Sequence, residues 1–345
     1  MSTEELTSQQ LAQKITKVTD PDHFDHHKWA GLYVQWISST NKNKLPMEAI
    51  AEEDPGMTIS QNLDFLRNEY QDKLNNFGVE FPVDGIEKGR VAWLVEAKNR
   101  SLDDPVLVYF HGGGYLHGLI PVFPSFLKEV YLTSSNSDRL SILIVDYKLS
   151  WQGGKWPIPV DEATRTLNKL SETSKNFFIG GDSAGAHLCC SSLRHQKHPI
   201  ESITKAKSGA MPVGAILISP WINIHPPMTG TYETNKPPRD FSSAQTSKEY
   251  GRLFTNSKEE QQSKLLNPAL DDTVDWTQIL PEKTWVYYGD HEVMVDDFEN
   301  WLINLVQLPR EKVFVDSGAY HDNIIVDPWG RKEAMQSLVS FVNTF

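Results

Sequence analysis

The segment Asn176-Phe177-Phe178-Ile179-Gly180-Gly181-Asp182-Ser183-Ala184-Gly185-Ala186-His187-Leu188 constrains this chain more than any other. A short apolar run leads into Gly-x-Ser-x-Gly, and small, helix-compatible residues follow. That is the pattern of a strand, a tight turn and a helix. Such a turn strains its central residue and lifts the serine hydroxyl above the end of a sheet, where an acyl carbon can reach it. Glycine is required at 181 and 185 because Cβ atoms there would collide with the neighbouring strand and helix. Taken alone, the pentapeptide also fits an ordinary glycine-rich turn, since Gly and Ser are common in loops.

A second signal decides between those readings. The run Pro105-Val106-Leu107-Val108-Tyr109-Phe110 reads as a strand and ends in His111-Gly112-Gly113-Gly114-Tyr115. Three successive glycines cost backbone entropy and return nothing unless the backbone itself is used. Their N–H groups can converge on a developing oxyanion, joined by the N–H of Ala184, the residue after the candidate nucleophile. A phosphate-cradling loop would need Gly-Lys-Ser/Thr or Gly-x-Gly-x-x-Gly, and neither follows. Serine turn and glycine loop together point to acyl transfer.

Further short apolar runs occur at Gly89–Val95, Leu140–Val145, Phe177–Ile179, Ala215–Ile218, Trp285–Tyr288 and Val313–Val315, with Val79–Phe81 ahead of them. Most are followed by a helix-length segment, which argues for a parallel sheet covered on both faces. Met335, Leu338, Val339 and Val342 mark an amphipathic closing helix. Residues 1–80 read as helical, with Leu11, Ile15 and Val18 on one face and Trp29, Leu32, Tyr33 and Trp36 on another. The stretch from Trp221 to about Asn267 holds Pro226-Pro227 and Pro237-Pro238 and no strand, so it reads as an insertion over the carboxyl ends of the strands. Ser247–Phe254 is a helical piece within it.

A nucleophilic serine needs a base, and the base needs an acid to orient it. On a sheet of this kind they follow the serine in the order acid, then histidine. After the strand Trp285–Tyr288 come Asp290 and Glu292, with His291 between them. After Val313–Val315 comes His321, the one histidine placed to serve as base.

Charge narrows the partners. With 33 basic against 45 acidic residues the net charge is −12, and no basic stripe offers itself to nucleic acid. The two cysteines, Cys189 and Cys190, are adjacent, which excludes a disulfide framework and suits a reducing compartment. Neither they nor the histidines of Asp22-His23-Phe24-Asp25-His26-His27 have metal-ligand spacing, so no metal or other cofactor is expected. The amino terminus carries no signal pattern, and no apolar run is long enough to cross a bilayer. A soluble, cytoplasmic protein is expected.

His111-Gly112-Gly113-Gly114-Tyr115, Asp146-Tyr147-Lys148-Leu149-Ser150, Gly181-Asp182-Ser183-Ala184-Gly185, Ser219-Pro220-Trp221 and Tyr320-His321-Asp322 occur in one order over residues about 105 to 325. With them the chain resembles the hormone-sensitive-lipase group of α/β-hydrolases, and within it the fungal esterases of the steryl-acetate-deacetylase type. The resemblance implies an α/β-hydrolase fold: an eight-stranded, mostly parallel sheet with helices on both faces and a helical cap. That cap would combine residues 1–80 with an insertion at about 222–267, the catalytic core being 81–345. It also implies a Ser183–acid–His321 triad and oxyanion donors at Gly113, Gly114 and Ala184. The group commonly has its acid four residues before a second Asp; Glu292 and Asp296 match, so Glu292 is the acid and Asp290 the competitor.

Two departures stand out. Asn223 replaces the usual Asp after Ser-Pro-Trp-x. No amino-terminal anchor like that of the membrane-bound fungal members is expected, which puts a membrane-embedded sterol ester in question. The expected activity is serine-dependent hydrolysis of short-acyl esters of apolar alcohols. Amide or formamide hydrolysis by the same triad, and a non-catalytic ligand-binding protein on the same fold, are the alternatives. A small-molecule ester is the expected partner, and a homodimer is allowed.

Overall fold

One seven-stranded sheet frames the molecule, whose computed structural model describes residues 7–17, 25–43, 51, 54 and 56–345. The strands are β1 (Val91–Val95), β2 (Val106–Phe110), β3 (Ser141–Val145), β4 (Phe177–Asp182), β5 (Gly214–Ile218), β6 (Lys283–Gly289) and β7 (Val313–Asp316). Their order across the sheet is β1-β3-β2-β4-β5-β6-β7. Only β1 runs antiparallel. The principal helices are α1 (Ser8–Lys17), α2 (His26–Asn43), α3 (Ile59–Tyr70), α4 (Val122–Thr133), α5 (Ile158–Leu170), α6 (Ser183–Lys197), α7 (Ala244–Phe254) and α8 (Lys332–Val342).

The apolar runs form strands because both faces of the sheet are buried. Along β2, Val106, Val108 and Phe110 join one core with Val160 and Leu167 of α5 and Leu193 of α6. Leu107 and Tyr109 join the other with Phe126 and Val130 of α4 and Leu338 of α8. Each such side chain, fully buried, contributes roughly 1.5–3 kcal/mol. Parallel registers such as Phe110↔Gly181 and Asp182↔Ile218 align the carboxyl ends of β2, β4 and β5 along one rim.

The sheet has seven strands where eight were expected. Val79–Phe81 pairs with β1 through one bridge, Glu80↔Ala92, flanked by the Phe81 N–H on Val91 O at 2.8 Å and the Trp93 N–H on Val79 O at 2.9 Å. Pro82 follows and has no N–H to extend the ladder.

Leu11 and Ile15 of α1 are buried, as are Trp29 and Trp36 of α2, while Leu32 and Tyr33 are half-buried. Val18, His23 and the first six residues lie outside the described part of the chain. His26 ties α2 to the core: Nδ1 is 3.1 Å from Ser125 Oγ and Nε2 is 2.9 Å from the Ile325 carbonyl. Residues 222–267 carry α7 and short helical turns but no strand. α2 and α7 both contribute walls to a cavity at the carboxyl rim of the sheet.

Candidate active site

Ser183 directly follows β4 and begins α6 with φ at +47°, the left-handed conformation a non-glycine residue adopts only when its surroundings force it. The surroundings are visible at the flanking glycines. A Cβ on Gly185 would sit 2.0 Å from Phe110 O, and one on Gly181 would sit 2.5 Å from the backbone of Gly185. Strand, turn and helix interlock, and the hydroxyl is left on the rim.

His321 arrives in the loop after β7. Its Nε2 is 2.9 Å from Ser183 Oγ and its Nδ1 is 2.8 Å from Glu292 Oε2. The other oxygen of Glu292 accepts the Gly289 N–H at 2.7 Å and the Ser219 hydroxyl at 2.7 Å. Glu292 is fully buried and His321 nearly so. Asp290, the competitor, turns outward instead and accepts from Gly318 N–H at 2.7 Å and Ser317 Oγ at 3.1 Å. With a carboxylate on Nδ1, the imidazole proton belongs there and Nε2 is left to accept from serine, a tautomer assigned from the network.

The glycine loop stands opposite. The Gly112 N–H is committed to Asp182 Oδ1 at 2.9 Å, and that oxygen also accepts the Tyr109 hydroxyl at 2.6 Å. Gly113 and Gly114 have φ of +106° and +62°. A Cβ on Gly113 would meet His117 O at 2.5 Å, so the loop admits only glycine there. Among the described residues neither of these two N–H groups has a hydrogen-bond partner. Ala184 is the second residue of α6, and the first N–H groups of a helix have no partner within it. His111 supports the loop from below, stacked on Tyr147 at 4.5 Å with the Tyr147 hydroxyl donating to His111 O at 2.6 Å.

Two carboxyl groups join the site without a sequence signal to announce them. Asp240, from the insertion, is buried and accepts from Val293 N–H at 2.9 Å, Ser242 N–H at 3.2 Å and His321 N–H at 3.4 Å. Asp322, at φ +56°, brings Oδ2 to 3.3 Å from His321 Nε2. Ser219, at φ +43°, links the parts: it donates to Glu292 and accepts the Asp322 N–H at 3.1 Å. Tyr320-His321-Asp322 and Ser219-Pro220-Trp221 are visible in the sequence, but nothing local gives Asp322 or Ser219 a task. Asn223, which replaces the expected Asp, is buried and accepts the His225 N–H at 3.2 Å.

The charges of this cluster are coupled. Burial pulls the His321 pKa down, but Asp322, Glu292 and Asp240 outweigh it and the net shift is upward. Burial raises the Asp240 carboxyl to about 6 against the opposing pull of His321, and it raises Asp182 and Asp322 as well. Burial thus favours the protonated form of each of these three carboxyls. Each that keeps its proton removes one negative charge from beside His321 and lets the imidazole return towards its ordinary range.

Around Ser183 and His321 the cavity encloses about 810 Å³ of empty space, its open mouth included. Its walls are mostly apolar, with Val34 and Ile37 of α2, Phe123 of α4, Trp221 and Met294 among them. Tyr33 also faces it, whereas Trp29 packs inward on Phe65 at 5.9 Å. Among the described residues no group of His, Cys, Asp and Glu could hold a metal ion, and no helix is long and apolar enough to cross a membrane.

The steryl acetyl hydrolase family model matches residues 53–340. The chain belongs to the steryl acetyl hydrolase family. Mug81 of Schizosaccharomyces pombe, which bears the steryl acetyl hydrolase name provisionally, is 27% identical over 314 residues, covering 83% of this chain and 80% of its own. Steryl acetyl hydrolase 1 of Saccharomyces cerevisiae is 24% identical over 277 residues, covering 70% of this chain and 60% of its own. A bacterial esterase of the hormone-sensitive lipase family superposes over 100% of this chain and 99% of its own, with a TM-score of 0.62 at 18% identity. That likeness gives the fold, an α/β-hydrolase. With the family, it makes this protein a carboxylic ester hydrolase.

Proposed function

We propose that this hydrolase removes a short acyl group, acetyl first, from esters of bulky apolar alcohols through a covalent acyl-serine. The observation that carries the reading is the continuous chain from Ser183 Oγ to His321 to Glu292, at 2.9 and 2.8 Å, opening into an apolar cavity. Ser183 Oγ attacks the ester carbonyl while His321 Nε2 takes its proton. Glu292 holds the imidazole in the productive tautomer and balances the imidazolium. The oxyanion meets the N–H groups of Gly113, Gly114 and Ala184, each worth on the order of 3 kcal/mol of barrier. The intermediate collapses, the alcohol leaves with the proton from His321, and the acyl group stays on Ser183. Water, deprotonated by the same nitrogen, attacks the acyl-serine and releases the carboxylic acid.

The name of the family supports steryl acetates as substrates, and the apolar walls suit a rigid hydrocarbon alcohol. The amino-terminal helices and the insertion act together as the cap that excludes water from that alcohol. Hydrolysis of p-nitrophenyl acetate and of a steryl acetate in detergent micelles, by wild type and Ser183→Ala, tests the proposal. Loss of both activities in the variant is expected. Equal rates in the two proteins would end the serine mechanism.

A further inference from the structure

The insertion reaches the glycine loop through one side chain. The ring of Tyr250, on α7, lies so close to Gly114 that a Cβ there would meet Tyr250 Cδ2 at 2.2 Å. The Tyr250 hydroxyl is 2.7 Å from Nε2 of His117, a fully buried residue whose own N–H closes on Gly113 O at 2.9 Å. The other ring nitrogen of His117 faces Asp54 Oδ1 at 3.8 Å, while Asp54 Oδ2 accepts the Gly118 N–H at 2.9 Å. Trp36 of α2 packs edge-on against the same imidazole at 4.8 Å. Three segments far apart in sequence thus meet on one histidine of the loop. The carboxylate beside Nδ1 favours a proton there, so Nε2 accepts from the phenol and the ring of Tyr250 is pinned.

The geometry of acyl transfer says what that ring would touch. A tetrahedral carbon bonded to Ser183 Oγ carries three more groups: the oxyanion, the leaving oxygen and the acyl chain. The oxyanion belongs at the Gly113 and Gly114 N–H groups, and the leaving oxygen must lie near His321 Nε2 to receive its proton. The acyl chain takes the direction that remains, away from the imidazole and along the glycine loop. Phe241 stands on the imidazole side, its ring 5.6 Å from that of His321. Tyr250 stands over the loop, half-buried, and lines the same cavity as Ser183.

We infer that Tyr250, pinned by His117, is the wall of the acyl subsite and limits the acyl chain to a few carbons, while Phe241 borders the alcohol. This rests on the serine mechanism proposed above and adds a specificity determinant to it.

The test uses the full chain and p-nitrophenyl esters from acetate to dodecanoate, so that only the acyl group changes. Tyr250→Ala is expected to raise the ratio of kcat/KM for octanoate over acetate by about tenfold or more, the equivalent of about 1.4 kcal/mol. Tyr250→Phe keeps the ring but loses the hydroxyl that pins it to His117, and is expected to raise that ratio by less than Tyr250→Ala does. Should Tyr250→Ala fail to fold, Tyr250→Leu gives the same readout with less of the wall removed. Phe241→Ala is expected to alter the preference among alcohols in a series of acetates without moving the acyl ratio. An unchanged ratio in a folded Tyr250→Ala protein overturns the assignment, as does a shift in alcohol preference alone. If wild type and Ser183→Ala turn over every ester equally, the serine mechanism itself fails, a result separable from the loss of the Tyr250 assignment.

Discussion

Replacing Glu292 by Gln tests the site through a single proton. The side chain is fully buried, and Gln fills the same volume. One oxygen of Glu292 accepts the Gly289 backbone N–H and the Ser219 hydroxyl, both at 2.7 Å, and the other faces His321 Nδ1 at 2.8 Å. The backbone N–H cannot rotate, so the Gln carbonyl must occupy the first position and its NH₂ must face Nδ1. A donor there forces Nδ1 to become an acceptor and moves the imidazole proton to Nε2. Nε2 would then donate to Ser183 Oγ where it must accept from it, and the base is lost.

In serine proteases the equivalent change costs about 10⁴ in kcat, or roughly 5.4 kcal/mol of barrier. We expect a fall of that order for Glu292→Gln on p-nitrophenyl acetate, with an unchanged melting temperature. The control is Asp290→Asn. Asp290 is solvent-facing and its acceptor role towards Gly318 survives in Asn, so its rate should stay within about threefold of wild type. The pH profile adds a second readout. Burial depresses the His321 pKa, and Glu292 is among the groups that lift it back. Without the Glu292 charge the pKa drops, the imidazole stays unprotonated to lower pH, and the acid limb of any residual activity moves to lower pH. A Glu292→Gln enzyme within about tenfold of wild type would refute the reasoning, and so would an Asp290→Asn enzyme as impaired as Glu292→Gln.

Two further predictions concern groups that act through others. Ser219→Ala removes a hydroxyl that joins Glu292 to the Asp322 backbone; kcat should fall by about 10–100-fold with KM nearly unchanged, the mark of a positioning residue, and a KM effect alone would contradict it. His26 is neutral in the fold, its pKa lowered from 6.5 to about 4 chiefly by burial. The unfolded chain takes up the proton first as pH falls, so the contribution of His26 to stability is present above pH 6.5 and is lost between 6.5 and 4, by about 3 kcal/mol in all. His26→Gln does not titrate there, so the stability gap between wild type and variant, measured by urea denaturation, should narrow by that amount between pH 7 and pH 4. A constant gap would show that His26 does not carry this penalty.

What the sequence revealed follows physical lines. Apolar runs such as Val106–Phe110 and Ser141–Val145 declare themselves as strands because both of their faces are buried, and burial leaves a compositional mark. Val79–Phe81 bears the same mark but makes one bridge, because pairing depends on the neighbour across the gap and on Pro82. Ser183 and His321 are legible because each sits in a glycine-marked loop just past a strand, where the parallel topology delivers them to one rim. The choice between Asp290 and Glu292 required a resemblance. Two residues apart in one loop, they differ only in which way the chain turns them: Glu292 under the Gly289 N–H, Asp290 towards Gly318 and solvent. Asp240 and Tyr250 have no local signal at all. Their contacts, 3.4 Å to His321 N and 2.7 Å to His117, exist only after the insertion folds back over the rim. The proposed triad stands in segments that follow strand ends. The wall proposed for the acyl subsite, Tyr250, lies in a segment whose meaning depends on where it docks.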